Sequence, residues 1–582
     1  MKFGTEAYVL LLFLWLLLVS GLGVHAISYD YSATTECLVE PQRALYGGGI
    51  IVNPEFDHSI EGWTVFGKAA IEQRISKEGN RFIVARNRTQ PLDSFSQKVQ
   101  LDKGIIYSFS AWVQLSEGSE TVSVIFKGDS SEVMHGGQVT AEHGCWTLLK
   151  GGIVANISSP VEILFEWTMQ SENTTVEIWA DSVSLQPFTK QQWRSHQDKS
   201  IEKVRKSMVR FQISEATDSA LEGARVLCIQ RKPRFPFGCG MNHHILESTE
   251  YQNWFASRFK YTTFTNEMKW YSTETKQGQE NYTIPDGMLK FAKHHGISVR
   301  GHNIFWDNPK EQPEWVKSVC PHELRKAAAR RIKSVVSRYR GELIAWDVVN
   351  ENLHFNFFEN KLGGNASAEY YAKTYQLDPK PILFLNEYNT IEYCRDKTAT
   401  PVNYMKKLEQ ILSFPGCANI SAGIGLQGHF CSGQPNLAYM RSALDLLGTA
   451  GLPIWVTEVS VARDANQAQY LEEILREAYA HPAVDGIIAF AGPAIAGFNE
   501  TTLVDENFQN TPAGDVVDML INEWKYEPRE ATADSRGYVD VSLYHGDYDV
   551  TVMHPITNSS KTVNLSVSKD VPQESITVKI RT

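Results

Sequence analysis

IAWDVVNENLH, residues 344–354, is an apolar run that ends abruptly in polar residues. A short run of this kind predicts a buried parallel strand, and catalytic groups concentrate where such strands end. PIWVTEVS, residues 453–460, repeats the pattern with Glu458 at its polar end, as the first stretch carries Glu351. A single Glu at a strand end is as typical of a structural ion pair as of a catalytic site. Two of them favour acid/base and nucleophilic chemistry at a sugar acetal.

The region around these stretches alternates strand-like and helical patterns. Amphipathic patterns over 322–340 and 466–480 predict helices between the strands. Eight β–α units within this length predict an α/β fold, the (β/α)8 TIM barrel. The alternative, an open doubly wound sheet, lacks its glycine-rich phosphate turn here. The eight strand-like runs cover residues 236–241, 262–270, 298–306, 344–351, 381–388, 423–430, 453–460 and 486–493.

The residues on either side of this region indicate further domains. Alternating apolar and polar segments over 47–189 predict a β-sandwich of the jelly-roll type. Residues 190–235 are polar and predict a connector with a helix around 200–210. No Pro/Thr-rich linker is present, so we expect the sandwich to pack on the barrel, 236–526. Alternation over 527–582 predicts a small β-rich C-terminal unit with a structural role.

Composition limits the classes of partner. The chain has 582 residues and a net charge of −11, which argues against nucleic acid and suits a neutral polysaccharide. Aromatic faces grip sugar rings, yet each aromatic candidate in the sandwich is more readily a core residue. These candidates are Trp63, Tyr107, Trp112, Trp146 and Trp167.

The N-terminus predicts export. Lys2, the apolar run that follows it and Val24-His25-Ala26 are typical of a secretory signal peptide, residues 1–26, with cleavage after Ala26. The apolar run is short for a membrane span, so we expect a secreted protein with no membrane association after cleavage; the alternative is an uncleaved anchor. Nine Asn-X-Ser/Thr sequons agree with a glycoprotein. The eight cysteines show no metal-site spacing, their pairing stays open, and no metal or organic cofactor is expected.

Polar side chains gather where the predicted strands end, and a barrel brings such positions into one cleft. Carboxylates can act on the glycosidic bond, while amides, a lysine, imidazoles and an indole can bind a sugar. Besides the two glutamates, the set comprises Asn266, Lys269, His302, Trp306, Asn350, Asn386, Glu387, Gln427 and His429.

Four ordered motifs, RGHNIFW (300–306), WDVVNEN (346–352), GLQGHF (425–430) and VTEV (456–459), resemble glycoside hydrolase family 10, the retaining endo-β-1,4-xylanases. FLNEYNT, residues 384–390, is similar to the plant members. The upstream sandwich resembles the family 22-like, xylan-binding carbohydrate-binding module found beside xylanases. The resemblance covers essentially the whole chain and implies hydrolysis of xylan in the plant cell wall.

The resemblance also implies residue roles. Glu351 is the expected general acid/base and Glu458 the nucleophile, with their carboxyl groups roughly 5–5.5 Å apart. Asn350 is expected to bind the 2-hydroxyl of the sugar, His429 to contact the nucleophile, and Asp347 to hold His302. The positions matching glycone-binding residues are Asn266, Lys269, His302, Trp306 and Gln427.

Three positions depart from the family pattern. Thr265 replaces a Glu, Ser460 an Asp that supports the histidine at 429, and Phe490 a Trp over the cleavage-site sugar. The glutamate pair is intact, so a weaker or specialised enzyme is the expectation. The alternatives are an inactive glycan-binding homologue and a retaining β-glucanase. The oligomeric state stays open.

Overall fold

The computed structural model describes residues 27–128, 133–167, 176–525, 527–528, 530–557, 559–569 and 575–581. The predicted signal peptide, residues 1–26, lies outside the described residues, as do the sequon positions Asn173 and Asn558. Within the described part, no helix is long and apolar enough to cross a membrane.

The centre of the molecule is a closed barrel of eight parallel strands, as the alternating pattern predicts. Each strand pairs with its neighbour in sequence, and the eighth strand pairs with the first. The fourth strand is buried at every residue, which explains why its sequence is an apolar run and not an alternating one. In chain order the barrel strands are Phe237–Met241, Tyr261–Phe264, Ser298–Gly301, Ala345–Asn350, Ile382–Glu387, Ala422–Leu426, Ile454–Val461 and Val484–Ala489.

Helices connect the barrel strands and cover their outer faces. Pro321–Arg338 begins with proline at its first position and buries Leu324, Ala328 and Val335, and the predicted helix over 466–480 is also present. The α-helices are Thr249–Arg258, Trp270–Thr273, Thr283–His294, Glu314–Ser318, Pro321–Arg338, Phe357–Leu362, Ala366–Leu377, Pro401–Leu412, Leu437–Gly448, Gln467–Ala480 and Pro512–Glu523.

Short elements lie in the connections and ahead of the barrel. The two-residue strands extend the third, sixth and eighth β–α connections, and one 3-10 helix precedes the sandwich. The short strands are Phe305–Trp306, His429–Phe430, Gly492–Pro493 and Thr502–Val504, and the 3-10 helices are Leu45–Gly48, His243–Leu246, Pro309–Glu311 and Ala494–Ala496.

The N-terminal module is a sandwich of two five-stranded antiparallel sheets, which confirms the predicted fold class. In spatial order one sheet contains Thr64–Phe66, Ser94–Leu101, Ser159–Trp167, Ser119–Gly128 and Val133–Glu142. The other contains Ala70–Ile75, Arg81–Arg86, Ile178–Phe188, Ile106–Leu115 and Thr147–Val154.

The aromatic candidates of the module are all core residues. Trp63, Tyr107, Trp112, Trp146 and Trp167 are between 2% and 4% exposed, so none of them presents a free face to a sugar. A disulfide between Cys37 and Cys145 fastens the preceding segment to the sandwich.

The predicted connector, 190–235, contributes more than a connection. Lys206–Glu215 pairs with Tyr538–Tyr544, and Arg225–Pro233 pairs with Gly546–Met553. The C-terminal unit is therefore built from two distant parts of the chain. Its sheets contain, in spatial order, Tyr538–Tyr544, Lys206–Glu215 and Ile576–Ile580, and then Glu530–Thr532, Arg225–Pro233, Gly546–Met553 and Ser560–Val567.

The connector helix also differs from the expectation of a helix around 200–210. It spans Lys190–Val204 and starts at a capping box, in which the Thr189 side chain accepts from the Gln192 amide and Gln192 bonds back. Residues from Lys206 alternate with a period of two and form a strand. The Thr-x-x-Gln spacing is the sequence signal that locates this helix.

The module packs directly on the barrel through buried polar contacts. Lys150 Nζ lies 2.7 Å from Asp445 Oδ2, and both side chains are fully buried. Asp445 also accepts from the Tyr29 hydroxyl at 2.7 Å. Gly152 lets the sandwich approach helix Leu437–Gly448, because a Cβ there would lie 2.7 Å from Cβ of Ala438. The expected packing of the two domains is confirmed.

Breaking this ion pair should destabilise the whole chain. In Lys150→Met, Asp445 loses its buried cation, which costs about 3–5 kcal/mol of unfolding free energy. Lys406→Met is the matched control at the same interface, because Lys406 and Glu142 are exposed and their pair contributes under about 1 kcal/mol. Denaturant unfolding should separate the two variants, and equal losses would contradict the interpretation.

Candidate active site

The two glutamates lie where the sequence places them. Glu351 directly follows the fourth barrel strand and Glu458 lies in the second half of the seventh, and both side chains are buried. Glu351 has a positive φ of 60°, a conformation that costs a non-glycine residue roughly 1–3 kcal/mol. The Glu351 amide donates to the Asn386 carbonyl at 2.9 Å, which holds this turn against the fifth strand.

Glu351 is placed to carry a proton. Burial raises the pKa of its carboxyl to about 7, with the nearby charges of Glu387 and Glu458 acting in the same direction. Two donors oppose this rise: Trp306 Nε1 at 2.6 Å and Gln427 Nε2 at 3.1 Å. A carboxyl group with a pKa near neutrality is suited to general acid and then general base work.

Glu458 is held ionised. Burial alone would raise its pKa, but the His302 ring, a hydrogen bond from His429 and the Arg300 charge lower it well below the ordinary range. His429 Nε2 lies 3.4 Å from Oε2, and Asn386 Nδ2 donates to Oε1 at 2.8 Å. The environment therefore moves the pKa values of the two glutamates in opposite directions, up for Glu351 and down for Glu458.

A buried polar chain supports the nucleophile from beneath. His302 Nδ1 lies 2.6 Å from Asp347 Oδ2, and Arg300 donates to the same carboxylate. The His302 ring lies 3.9 Å from Glu458 Oε1, so the chain of contacts ends at Glu458. The predicted contact of Asp347 with His302 is present. Arg300, which the sequence analysis did not select, balances the Asp347 charge.

Asn386 links the two catalytic strands. Its Nδ2 donates to Asn350 Oδ1 at 2.9 Å as well as to Glu458, and its Oδ1 accepts from the Thr457 hydroxyl. Asn350 thus uses its oxygen inside the protein, and its amino group forms no hydrogen bond with the described residues. That amino group is the donor available for a sugar hydroxyl.

Lys269, Asn266 and Trp306 form one side of the cleft. Lys269 Nζ donates to Asn266 Oδ1 at 3.1 Å and lies 4.3 Å from the centre of the Trp306 ring. Burial lowers the pKa of Lys269, with Glu458 and Glu351 opposing that shift. Tyr271 also donates to Asn266 Oδ1, a contact without a sequence signal. The ten residues to which the resemblance gives roles therefore belong to one connected cluster, and Asn386 joins it.

The three departures surround this cluster. Ser460 Oγ lies 2.7 Å from His429 Nδ1, so the serine hydroxyl still anchors the ring. Thr265 and Phe490 lie together over Gly240, where an added Cβ would meet them at 3.3 and 3.4 Å. Phe490 also approaches His429, with ring centres 5.9 Å apart. Small and apolar side chains thus fill this part of the cleft.

His354, close to Glu351 in the chain, is a further candidate that the sequence motifs do not single out. His354 Nδ1 lies 2.7 Å from Glu387 Oε1 and its Nε2 lies 2.8 Å from Asp396 Oδ2. Its ring stacks on Tyr388 at 3.9 Å. Burial lowers the pKa of His354, but the bonds to Asp396 and Glu387 raise it to about 9. Two residues of this contact have a sequence signal, because His354 lies in the ENLH stretch and Glu387 at the end of a strand. Asp396 has no such signal.

Two family profiles match the chain. Residues 228–518 match "Glycosyl hydrolase family 10", and residues 48–180 match a "Carbohydrate binding domain". The chain belongs to glycosyl hydrolase family 10. Its barrel, its strand-end glutamates and its upstream sandwich are those of a glycoside hydrolase with a carbohydrate-binding module.

Plant family 10 proteins match the chain over almost its whole length. It is 48% identical to "Endo-1,4-beta-xylanase 5-like" of Arabidopsis thaliana, over 97% of this chain and 96% of the relative. It is 47% identical to "Endo-1,4-beta-xylanase 5", over 97% of each chain, and 45% identical to "Endo-1,4-beta-xylanase 4", over 99% of this chain and 97% of that one, both from the same plant.

The Trp306 hydrogen bond should set the basic side of the pH profile. Trp306→Phe removes a donor that stabilises the Glu351 carboxylate, so the pKa of Glu351 rises. The acid form then persists to higher pH, and the basic limb of kcat/KM moves up from near pH 7 by about one unit.

Trp315→Phe is the control for this shift, because its indole donates to the Glu274 carbonyl outside the cleft. Its pH profile should match that of the wild type. An unmoved limb in Trp306→Phe would contradict the proposed proton carrier.

His354 should make stability depend on pH. Its pKa is raised to about 9 in the folded state, so its contribution is fully present below about pH 6.5 and is lost as pH rises through 9. After discounting for partial exposure, we expect about 1–3 kcal/mol. The unfolding free energy of the wild type should fall between pH 6.5 and pH 9.5. In His354→Gln the fall should be smaller by this amount. An equal pH dependence in both proteins would disprove the linkage.

Proposed function

We infer that the chain is an endo-β-1,4-xylanase that cleaves xylan with retention of configuration. The observation that carries this inference is the buried pair of glutamates with pKa values moved in opposite directions, on the barrel of a family 10 member. The Arabidopsis relatives are named as endo-1,4-β-xylanases and are similar along the entire chain, including the module.

The first step forms a covalent intermediate. The ionised Glu458 carboxylate attacks the anomeric carbon, and the bond to the leaving oxygen breaks as Glu351 donates its proton to that oxygen. Double displacement requires the two carboxyl groups to be about 5–5.5 Å apart, which leaves no room for water between nucleophile and sugar. His429 and Asn386 hold Glu458 through its two oxygens and fix the direction of attack.

The second step reverses the roles. Glu351, now a carboxylate, removes a proton from water, whose oxygen attacks the anomeric carbon and releases Glu458. The hydrogen bonds from Trp306 and Gln427 hold the Glu351 carboxylate during this step. The environment of Glu351 thus supports both of its protonation states. No metal or organic cofactor is required by this chemistry.

The remaining cluster residues are proposed to bind the sugar. Lys269 and Asn266 face hydroxyl groups on the glycone side, with Trp306 beside them as an apolar surface. The free amino group of Asn350 suits the 2-hydroxyl of the cleavage-site sugar. His302, Gln427 and His429 complete the binding set, each held by a neighbour that fixes its orientation.

We place this activity outside the cell, on the xylan of the plant cell wall. The N-terminal sequence has the features of a secretory signal, and the module supplies a second polysaccharide-binding domain. Because the module packs on the barrel through buried contacts, a polymer held by one domain remains close to the other.

Two variants should separate the roles of the glutamates. Glu458→Ala should release no reducing sugar from xylan and should also fail on a 2,4-dinitrophenyl xylobioside. Glu351→Ala should lose about 10²–10⁴-fold on xylan. It should still cleave the first bond of the dinitrophenyl substrate, because that leaving group needs no proton.

Glu409→Ala, at an exposed helical glutamate, is the control and should be fully active. Retention predicts the β-anomer as the first product in an NMR time course. Xylan hydrolysis that survives in Glu458→Ala would overturn the assignment. A first product in the α-configuration would overturn the double displacement.

A further inference from the structure

A cavity of about 440 Å³ lies at the end of the barrel opposite the two glutamates. Its floor includes Tyr261 and Trp455, which lie at the amino-terminal ends of the second and seventh barrel strands. Its walls come from the end of the connector helix, with Arg205, and from the C-terminal unit, with Tyr544 and Lys569. None of its lining residues takes part in the proposed reaction.

The lining is strongly basic in an acidic protein. Six arginines and lysines line the cavity, against a single carboxylate, Asp485, while the chain as a whole carries −11. Arg258 is neutralised by Asp518, but Arg234, Lys260 and Lys569 are exposed and form no ion pair with the part of the chain that the structure describes. A local excess of positive charge of this kind attracts an anion.

Arg205 provides a built anion site in the wall. Its side chain is 7% exposed and donates to three backbone carbonyls, through Nε to Tyr479 and through Nη2 to His481 and Val484. Its Nη1 forms no hydrogen bond within the described residues, and no carboxylate forms an ion pair with it there. A buried guanidinium with a free edge is satisfied best by a carboxylate oxygen.

Aromatic rings form a further part of the lining, beside proline and aliphatic side chains. The Arg205 guanidinium lies over Phe235 and Tyr479, at 4.5 and 5.3 Å from the ring centres. On the floor, the half-buried Tyr261 contacts the buried Trp455 edge to face, with ring centres 6.5 Å apart. The cavity therefore pairs apolar ring faces with a fixed cation. A pyranose ring with a carboxylate substituent presents the complementary groups, apolar C–H faces and a negative charge.

We propose that this cavity binds a uronate-bearing oligosaccharide segment, with its carboxylate at Arg205 and its ring against the half-buried Tyr261. Lys260 and Lys569 at the rim contact further negative charge on the same ligand. Asp485 accepts from sugar hydroxyl groups. The site is separate from the xylan-cleaving cleft and does not depend on its activity. It would hold the enzyme on acidic polysaccharide while the cleft works on neutral chain.

The test measures binding to the full-length Glu458→Ala protein by titration calorimetry. The probes are trigalacturonate, with a carboxylate on every ring, a xylotetraose carrying one glucuronic acid branch, and neutral xylotetraose. The charge-reversed variant combines Lys260→Glu with Lys569→Glu, at exposed rim positions, and its unfolding midpoint is compared with that of the parent protein. Lys333→Glu, on an exposed helix face far from the cavity, is the matched control.

We expect the rim reversal to weaken binding of a uronate probe by about tenfold or more, with binding of neutral xylotetraose unchanged. The same reversal in the chain that retains Glu458 should leave hydrolysis of xylan unchanged. Raising salt from about 50 to about 300 mM should weaken the same interaction. If the reversal weakens binding of trigalacturonate alone, the ligand is a linear polyuronate. If it weakens binding of the branched probe alone, the ligand is a uronate side chain. Uronate binding that is no tighter than neutral binding, or that ignores the reversal, would overturn the proposal while leaving the xylanase assignment intact.

Discussion

Keeping Glu458 ionised inside a closed site is the constraint on which the cleft depends. An isolated buried carboxylate would take up a proton, and a protonated nucleophile cannot attack. The protein opposes this with donors and cations on every accessible side of the group: Asn386, His429 and the His302 chain that ends at Arg300. Among the described residues, no cation opposes the effect of burial at the Glu351 carboxyl in this way, so the same burial raises its pKa to about 7. One environment therefore generates both catalytic states.

The same reliance on buried charge holds the domains together. Helix Leu437–Gly448 carries Asp445, which meets Lys150 of the module, and Arg441, which forms a two-point ion pair with Glu477. The Arg441 guanidinium also lies 3.6 Å from the centre of the Trp193 ring. Such contacts have one good geometry, because a small displacement would leave a charge buried without its partner. The module is thus fixed in place where a linker would have left it mobile.

The sequence predicted what local patterns determine. All eight barrel strands, the sandwich and the placement of the two glutamates follow from apolar runs, alternation and polar strand ends. The strands within 190–235 were missed because their partners lie more than 300 residues away. A local alternating pattern does not indicate which distant strand it pairs with. The positive φ of Glu351 and the Trp306 donor were hidden for a related reason. They depend on the neighbouring fifth and third strands and not on the residues beside them.

Ser460 shows how a small departure changes the balance at the nucleophile. An aspartate at this position would hold His429 through Nδ1 and share the imidazolium charge, competing with Glu458 for it. The serine hydroxyl keeps the ring in place at 2.7 Å without adding a negative charge, so it fixes the orientation of His429 and does not favour its charged form. Burial lowers the pKa of His429, but its contacts with Glu458 outweigh burial and raise the pKa. The substitution therefore preserves the geometry at Glu458 and makes the protonation of His429 depend more closely on Glu458 itself.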